Sequence, residues 1–143
     1  MRSTRHLSRF AALAAALSLN ACMMFARPPQ DLDYARTRTS AAGLYRATIH
    51  PQGDSIPKGK LQRWTLHLET ATGVAVDSAT IAIDGGMPQH GHGLPTKPKA
   101  TRNLGNGDHL IEGMKFNMGG WWVVKFHVAA WPGSDSLVFN LKL

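Results

Sequence analysis

The chain reads as an all-β protein: an immunoglobulin-like antiparallel β-sandwich of about seven strands. Three observations carry that expectation. From Gly43 onward, short runs alternate apolar with polar residues, the period of a strand with one buried face. Gly, Pro, Asn and Asp break these runs at fairly regular intervals. No helical period is sustained over the same stretch, which argues against a mixed fold.

Taken in order, residues 44–50 form the first expected strand, closed by Pro51-Gln52-Gly53-Asp54. Residues 61–70 form the second, with Trp64, Leu66 and Leu68 on one face and Thr65, His67 and Glu69 on the other. Thr72-Gly73 turns the chain into a third strand over 75–84, where Ile81 and Ile83 face inward. A glycine-rich stretch follows, then a short, basic fourth strand over 97–103. Asn106-Gly107 is a tight-turn dipeptide leading into a fifth strand over 109–116. Residues 121–130 form the sixth, with Trp122, Val124, Phe126 and Val128 on one face. Residues 137–143 form the seventh, in which Leu137, Phe139, Leu141 and Leu143 alternate. Each fully buried member of this inward set contributes roughly 1.5–3 kcal/mol, enough to close a core without a disulfide.

The 143 residues amount to one domain once the N-terminal segments are set aside. Residues 1–21 have the layout of a signal peptide. Arg2, Arg5 and Arg9 give a basic start, and the apolar stretch over 10–19 is too short to span a bilayer as a helix. The segment runs into Leu19-Asn20-Ala21-Cys22, which resembles a bacterial lipoprotein signal. That resemblance implies cleavage before Cys22 and a lipid on its sulfur. An ordinary signal peptide with an unmodified cysteine, or a buried N-terminal helix, are the competing readings. Residues 22–42 carry two prolines, several charges and no sustained period, and are expected to tether the lipid to the domain over 43–143, with a short helical turn near residues 31–38.

Cys22 is the single cysteine. If it is lipidated, the mature protein has neither disulfide nor thiolate site and works outside the cytoplasm, anchored to a membrane without spanning it. The expected location is the periplasmic face of a bacterial cell envelope, and Met23 after the cysteine is compatible with the outer membrane. The formal net charge of +7 falls to +4 once Arg2, Arg5 and Arg9 are removed, leaving 13 basic against 9 acidic residues. These charges are scattered, so a nucleic-acid role is not expected.

The stretch that carries chemistry is Met87-Pro88-Gln89-His90-Gly91-His92-Gly93. In an extended chain alternate residues point the same way, so His90 and His92 offer imidazoles to one point. Met87 stands close by in sequence, and Met114 and Met118 lie just before and within the turn that links the fifth and sixth strands. Loops of such a sandwich cluster at its two ends, so these two connections share an end if the strand count holds. Thioethers suit Cu(I), and imidazole accepts Cu(I), Cu(II) or Zn. Zinc rarely takes thioether, which favours copper. Against this stand plainer readings: an exposed loop with no metal, and Met114 as a core residue alternating with Phe116. His67 and His127 lie on polar strand faces as surface residues, and His50 and His109 sit at strand ends.

The run from Asp84 to Thr96, followed by Glu112-Gly113-Met114-Lys115-Phe116-Asn117-Met118-Gly119-Gly120-Trp121-Trp122, resembles the YtkA-like/FixH-like domain family. The resemblance covers roughly residues 43–143. It implies a compact β-sandwich, often exported or membrane-anchored, with some members in the setting of copper trafficking or copper-oxidase assembly. It carries over Met87, His90, His92, Met114 and Met118 as the motif.

The expected function is therefore a lipid-anchored, extracytoplasmic copper-binding protein that delivers its ion to a membrane oxidase or a metal exporter. The alternative is a structural module whose rigid loop docks a membrane-protein partner without metal. An enzyme is not expected. No serine or cysteine nucleophile stands with a paired base, no carboxylate pair or phosphate loop is present, and cupredoxin-type electron transfer needs a cysteine ligand.

Overall fold

The computed structural model describes residues 28–143. The signal segment and Cys22 lie outside the described residues. Nine strands form: β1 (Thr37–Thr39), β2 (Tyr45–Pro51), β3 (Gln62–Thr70), β4 (Thr80–Met87), β5 (His92–Gly93), β6 (Lys99–Gly105), β7 (Asp108–Met114), β8 (Trp121–Ala130) and β9 (Gly133–Lys142). Every pairing between them is antiparallel. One sheet has the order β1-β2-β3-β7-β6 and the other β5-β4-β8-β9. Leaving out the short β1 and β5, the first, second, fifth and fourth strands face the third, sixth and seventh. That is the four-plus-three arrangement of an immunoglobulin constant-type sandwich.

Alternation decides what lies between the sheets. β2 turns Tyr45, Ala47 and Ile49 inward, and β3 turns Trp64, Leu66 and Leu68. The second sheet answers with Trp122, Val124, Phe126 and Val128 from β8 and Leu137, Phe139 and Leu141 from β9. The Phe126 and Phe139 rings meet edge to face at 5.7 Å, the geometry that the charge distribution of aromatic rings favours. All these strands and this core lie between Thr37 and Leu143, so the segment holds what it needs to fold by itself.

Several boundaries differ from the sequence reading, each for a local reason. Residues 37–39, expected in the tether near a helical turn, form a strand instead. β-Branched Thr37 and Thr39 suit an extended edge, and the Thr37 hydroxyl bonds that of Thr48 on β2 at 2.9 Å. The third expected strand begins too early. Val76 N–H still bonds Leu68 of the first sheet, and only from Thr80 does the chain join the second. That crossing is tied down by its neighbours. Gly107 N–H donates to the Asp77 carboxylate at 2.6 Å, the Asn103 amide donates to the Asp77 carbonyl, and the His109 ring meets the Val76 carbonyl at 2.7 Å. His109, dismissed above as a strand-end residue, is buried for this purpose. The seventh strand starts at Gly133, four residues earlier than expected.

A turn and a bulge show backbone chemistry that the residues dictate. Asn106 and Gly107 both have positive φ (54° and 80°), as a two-residue hairpin of the I′ type requires. In β7, Gly113 (φ 86°) accompanies the register shift between the Gln62–Met114 and Arg63–Glu112 pairs. This bulge moves the inward phase from His109 and Ile111 onto Met114 and then Phe116.

At the opposite end, Asp135 fastens the chain entering β2. Its carboxylate accepts from Ala42 N–H (3.0 Å), Leu44 N–H (3.3 Å) and Ser136 N–H (2.7 Å). Burial opposes ionisation, but the Ser40 hydroxyl and these backbone donors outweigh it and hold the carboxyl at about 2. Because the folded-state pKa is depressed, the stabilisation is present above the ordinary carboxylate range and is lost as pH falls toward 2. Asp135→Asn is expected to cost about 1 kcal/mol at neutral pH, a value reduced for solvent screening, and to flatten the acid limb of the stability profile. Urea melts from pH 7 down to pH 2 check both effects.

Candidate functional site

β4 ends in Gly85-Gly86-Met87, and its register explains both glycines. A Cβ on Gly85 would stand 2.3 Å from the Val123 carbonyl of β8, and one on Gly86 would stand 2.0 Å from the His92 carbonyl of β5. Any side chain at Gly86 would push β5 away. With glycine there, Gly86 pairs with Gly93 and Met87 with His92. The connection is Pro88-Gln89-His90-Gly91. His90 N–H closes a turn onto the Met87 carbonyl at 3.0 Å, proline takes the second turn position, and Gly91 (φ 64°) returns the chain.

His90 is therefore a turn residue, and His92 is the first residue of a two-residue strand. They do not alternate along one extended strand, as the spacing argument assumed. The hairpin still brings them together. Both are exposed, and their rings lie side by side with centroids 5.8 Å apart and planes 26° apart. Solvent reaches both imidazoles, and Leu94 N–H, bonded to the Gly85 carbonyl at 3.0 Å, anchors the return limb.

The second loop reaches the same pole. The Met87 ε-methyl lies 3.0 Å from where a Cβ on Gly120 would stand, so the hairpin and the β7–β8 connection touch. Gly120 and Leu143 exchange backbone hydrogen bonds at 2.8 and 3.0 Å, and the Trp122 indole N–H donates to the Met118 carbonyl at 3.1 Å. Phe116 sits beneath, stacked on Trp64 at 5.7 Å and edge-on to Trp122 at 5.2 Å.

The five candidate ligands thus fall into two groups. His90, His92 and Met118 are exposed, Met118 by 44%. Met87 and Met114 are buried in the core cluster with Trp64, Phe116 and Trp122. A buried thioether meets an ion arriving from solvent only if the pole opens. Among the described residues no group of three or more His, Cys, Asp or Glu side chains is placed to hold a metal ion. The donors around the hairpin are imidazole and thioether.

His67 and His127, like His109, have structural partners. His67 Nδ1 lies 2.8 Å from Asp108, and His127 Nδ1 lies 2.9 Å from the Ser136 hydroxyl. A shallow groove of about 370 Å³ on the outer face of the first sheet is lined by Gln52, Leu61, Arg63 and Glu112. Arg63 bonds Glu112 there at 2.9 Å. A hydrogen bond from Thr101 is the largest influence lowering the Glu112 pKa; desolvation opposes it, and Arg63 adds to the lowering.

A family model for YtkA-like domains matches residues 39–127, from the end of β1 into β8, including the hairpin and the methionine loop. The chain belongs to the YtkA-like family. This YtkA-like domain matches no curated protein and no solved structure. The family match covers both halves of the pole, so the residues that shape the hairpin lie within the region that defines this YtkA-like chain.

Proposed function

We propose that this YtkA-like protein is a lipid-anchored, extracytoplasmic copper carrier that binds its ion at the hairpin pole and passes it to a membrane oxidase or exporter. His90 and His92 supply the nitrogen donors and Met118 the exposed thioether. Met87 stands directly behind as a second sulfur, within reach if the Gly120 loop shifts. Met114 serves the core in this reading. Cys22 carries the anchor. The observation that supports the reading is the exposed, paired imidazoles on a hairpin whose shape Gly85 and Gly86 enforce. Copper held at an open site of mixed soft and borderline donors can be exchanged with a partner, since no closed cage has to break.

An ion that binds only the native state raises stability by RT ln(1+[L]/Kd), about 2.7 kcal/mol at a hundredfold excess over Kd. The segment 28–143 is expected to bind copper with one-to-one stoichiometry and to melt higher as copper is added, with Cu(I) tested under reducing conditions and Cu(II) in air. The burial of Met87 and Met114 favours a second reading, in which the hairpin is a rigid docking element without metal. That reading expects a melting temperature indifferent to copper and recovery of a stable membrane-protein partner.

A further inference from the structure

The described lysines are unevenly placed. Lys58 and Lys60 lie in the β2–β3 connection, Lys97 between β5 and β6, Lys115 between β7 and β8, and Lys142 at the end of β9 opposite Trp121. These five and Lys99 at the start of β6 sit at the pole that carries the His90–His92 hairpin, none of them held in an ion pair, while the seventh described lysine, Lys125, lies in the middle of β8. The opposite pole holds Glu69, Asp77 and Asp108 near the turns after β3 and β6, with Asp135 at the start of β9. The hairpin pole also carries Asp54 in the β2–β3 connection and Asp84 in β4, and Asp33 and Glu112 there are paired with Arg38 and Arg63, as Glu69 is with Arg46 at the other pole. The lysines still outnumber the unpaired acids at the hairpin pole, and the balance reverses at the other. Exposed apolar side chains lie at the same pole: Leu61 (69% exposed) follows Lys60, Met118 shares the β7–β8 connection with Lys115, and Tyr34 follows Asp33, whose carbonyl is bonded to β9.

The chain also enters at this pole. Asp33 carbonyl accepts from the Asn140 amide at 3.1 Å, and the Asn140 oxygen accepts from Trp121 N–H at 3.0 Å, beside the Trp121–Lys142 pair. Cys22 lies eleven positions before Asp33. At no more than roughly 3.6 Å per residue, that stretch keeps an anchor on Cys22 within about 40 Å of Asp33.

We propose that the hairpin pole is the face this domain turns toward an anionic phospholipid bilayer, with the lysines meeting the headgroups and Leu61, Met118 and Tyr34 at the interface. The chain-entry argument rests on the proposed lipid anchor; the charge and apolar arguments do not. The site would then face the membrane, where an integral membrane partner can reach it. Lysines near an anionic leaflet gain from its negative surface potential, and salt screens that gain.

The test uses segment 28–143, without lipid, and sedimentation with vesicles. Binding is expected to vesicles of phosphatidylglycerol mixed with phosphatidylcholine, to be absent with phosphatidylcholine alone, and to be lost at high salt. The double variant Lys58→Glu/Lys60→Glu is expected to bind roughly tenfold or more weakly. The control Arg102→Glu/Lys125→Glu makes the same change in net charge away from the pole and should lose less than roughly twofold, since position and not net charge sets the attraction. A second comparison, Lys60→Gln/Lys97→Gln against Arg102→Gln/Lys125→Gln, repeats the test with neutralised charges should the reversal disturb folding. Equal losses in pole and control variants, no binding to either vesicle (as for a surface that meets an acidic protein), or loss only on replacing exposed Trp131 at the other pole would overturn the proposal. The mass of the protein extracted from its native membrane reports acylation of Cys22 separately, so the anchor and the orientation can fail independently.

Discussion

Phe116→Ala is expected to destabilise the domain by about 3–5 kcal/mol, the range for removing a buried aromatic ring. The side chain is fully buried and makes the aromatic connection between the two sheets at the hairpin pole. Trp64 stacks on it from the first sheet, and Trp122 meets it edge-on from the second. Its carbonyl also accepts Gly59 N–H at 2.7 Å, which holds the β2–β3 connection against the β7–β8 loop. Removing the ring loses its burial and both aromatic contacts, including the one that supports Trp122, whose indole holds the Met118 carbonyl. Since a domain of this size has about 5–15 kcal/mol in total, the midpoint of thermal melting should fall by at least about 10 °C. Phe116→Leu keeps more of the volume and should cost clearly less. A loss below about 1 kcal/mol for the alanine variant would mean that the three rings do not close this end of the sandwich.

Much of the fold was legible because its cause is local. The inward faces of β3, β8 and β9 follow from strict alternation in Trp64–Leu66–Leu68, Trp122–Val124–Phe126–Val128 and Leu137–Phe139–Leu141. Asn106-Gly107 is a two-residue hairpin by composition alone. What escaped the sequence depends on partners distant in the chain. β1 is three residues long and exists because β2 offers an edge. The shift from the first sheet to the second near Asp77 is set by Gly107, Asn103 and His109, none of them neighbours in sequence. His109 had a readable signal, since it shares the face of Ile111, but its hydrogen-bond partner did not. At the candidate site, the glycine and proline punctuation announced a stiff turn. The meeting of that turn with Gly120, and the burial of Met87 and Met114 against the exposure of Met118, required the assembled sandwich.

Replacing both hairpin histidines should have the largest effect on copper. Metal-site residues one layer removed from the ligands typically change affinity 10–100-fold, so losing both proposed nitrogen ligands in His90→Ala/His92→Ala should weaken binding by roughly a hundredfold or more. Both side chains are exposed and outside the core, so the apo variant should melt close to the parent. Oxidation state then separates the donors. Imidazole serves Cu(I) and Cu(II), whereas thioether favours Cu(I). The histidine pair should therefore lower affinity for both ions, and Met118→Ala should lower affinity mainly for Cu(I). Met114→Leu preserves volume in the core and should cost less than about 1.5 kcal/mol, with copper affinity unchanged. Met87→Leu decides whether the second sulfur is used. A loss of Cu(I) affinity there means that the Gly120 loop opens, and no loss leaves His90, His92 and Met118 as the whole donor set. Unaltered copper affinity in the double-histidine variant would remove the hairpin from the binding site altogether, because no other described group brings two imidazoles side by side at this pole.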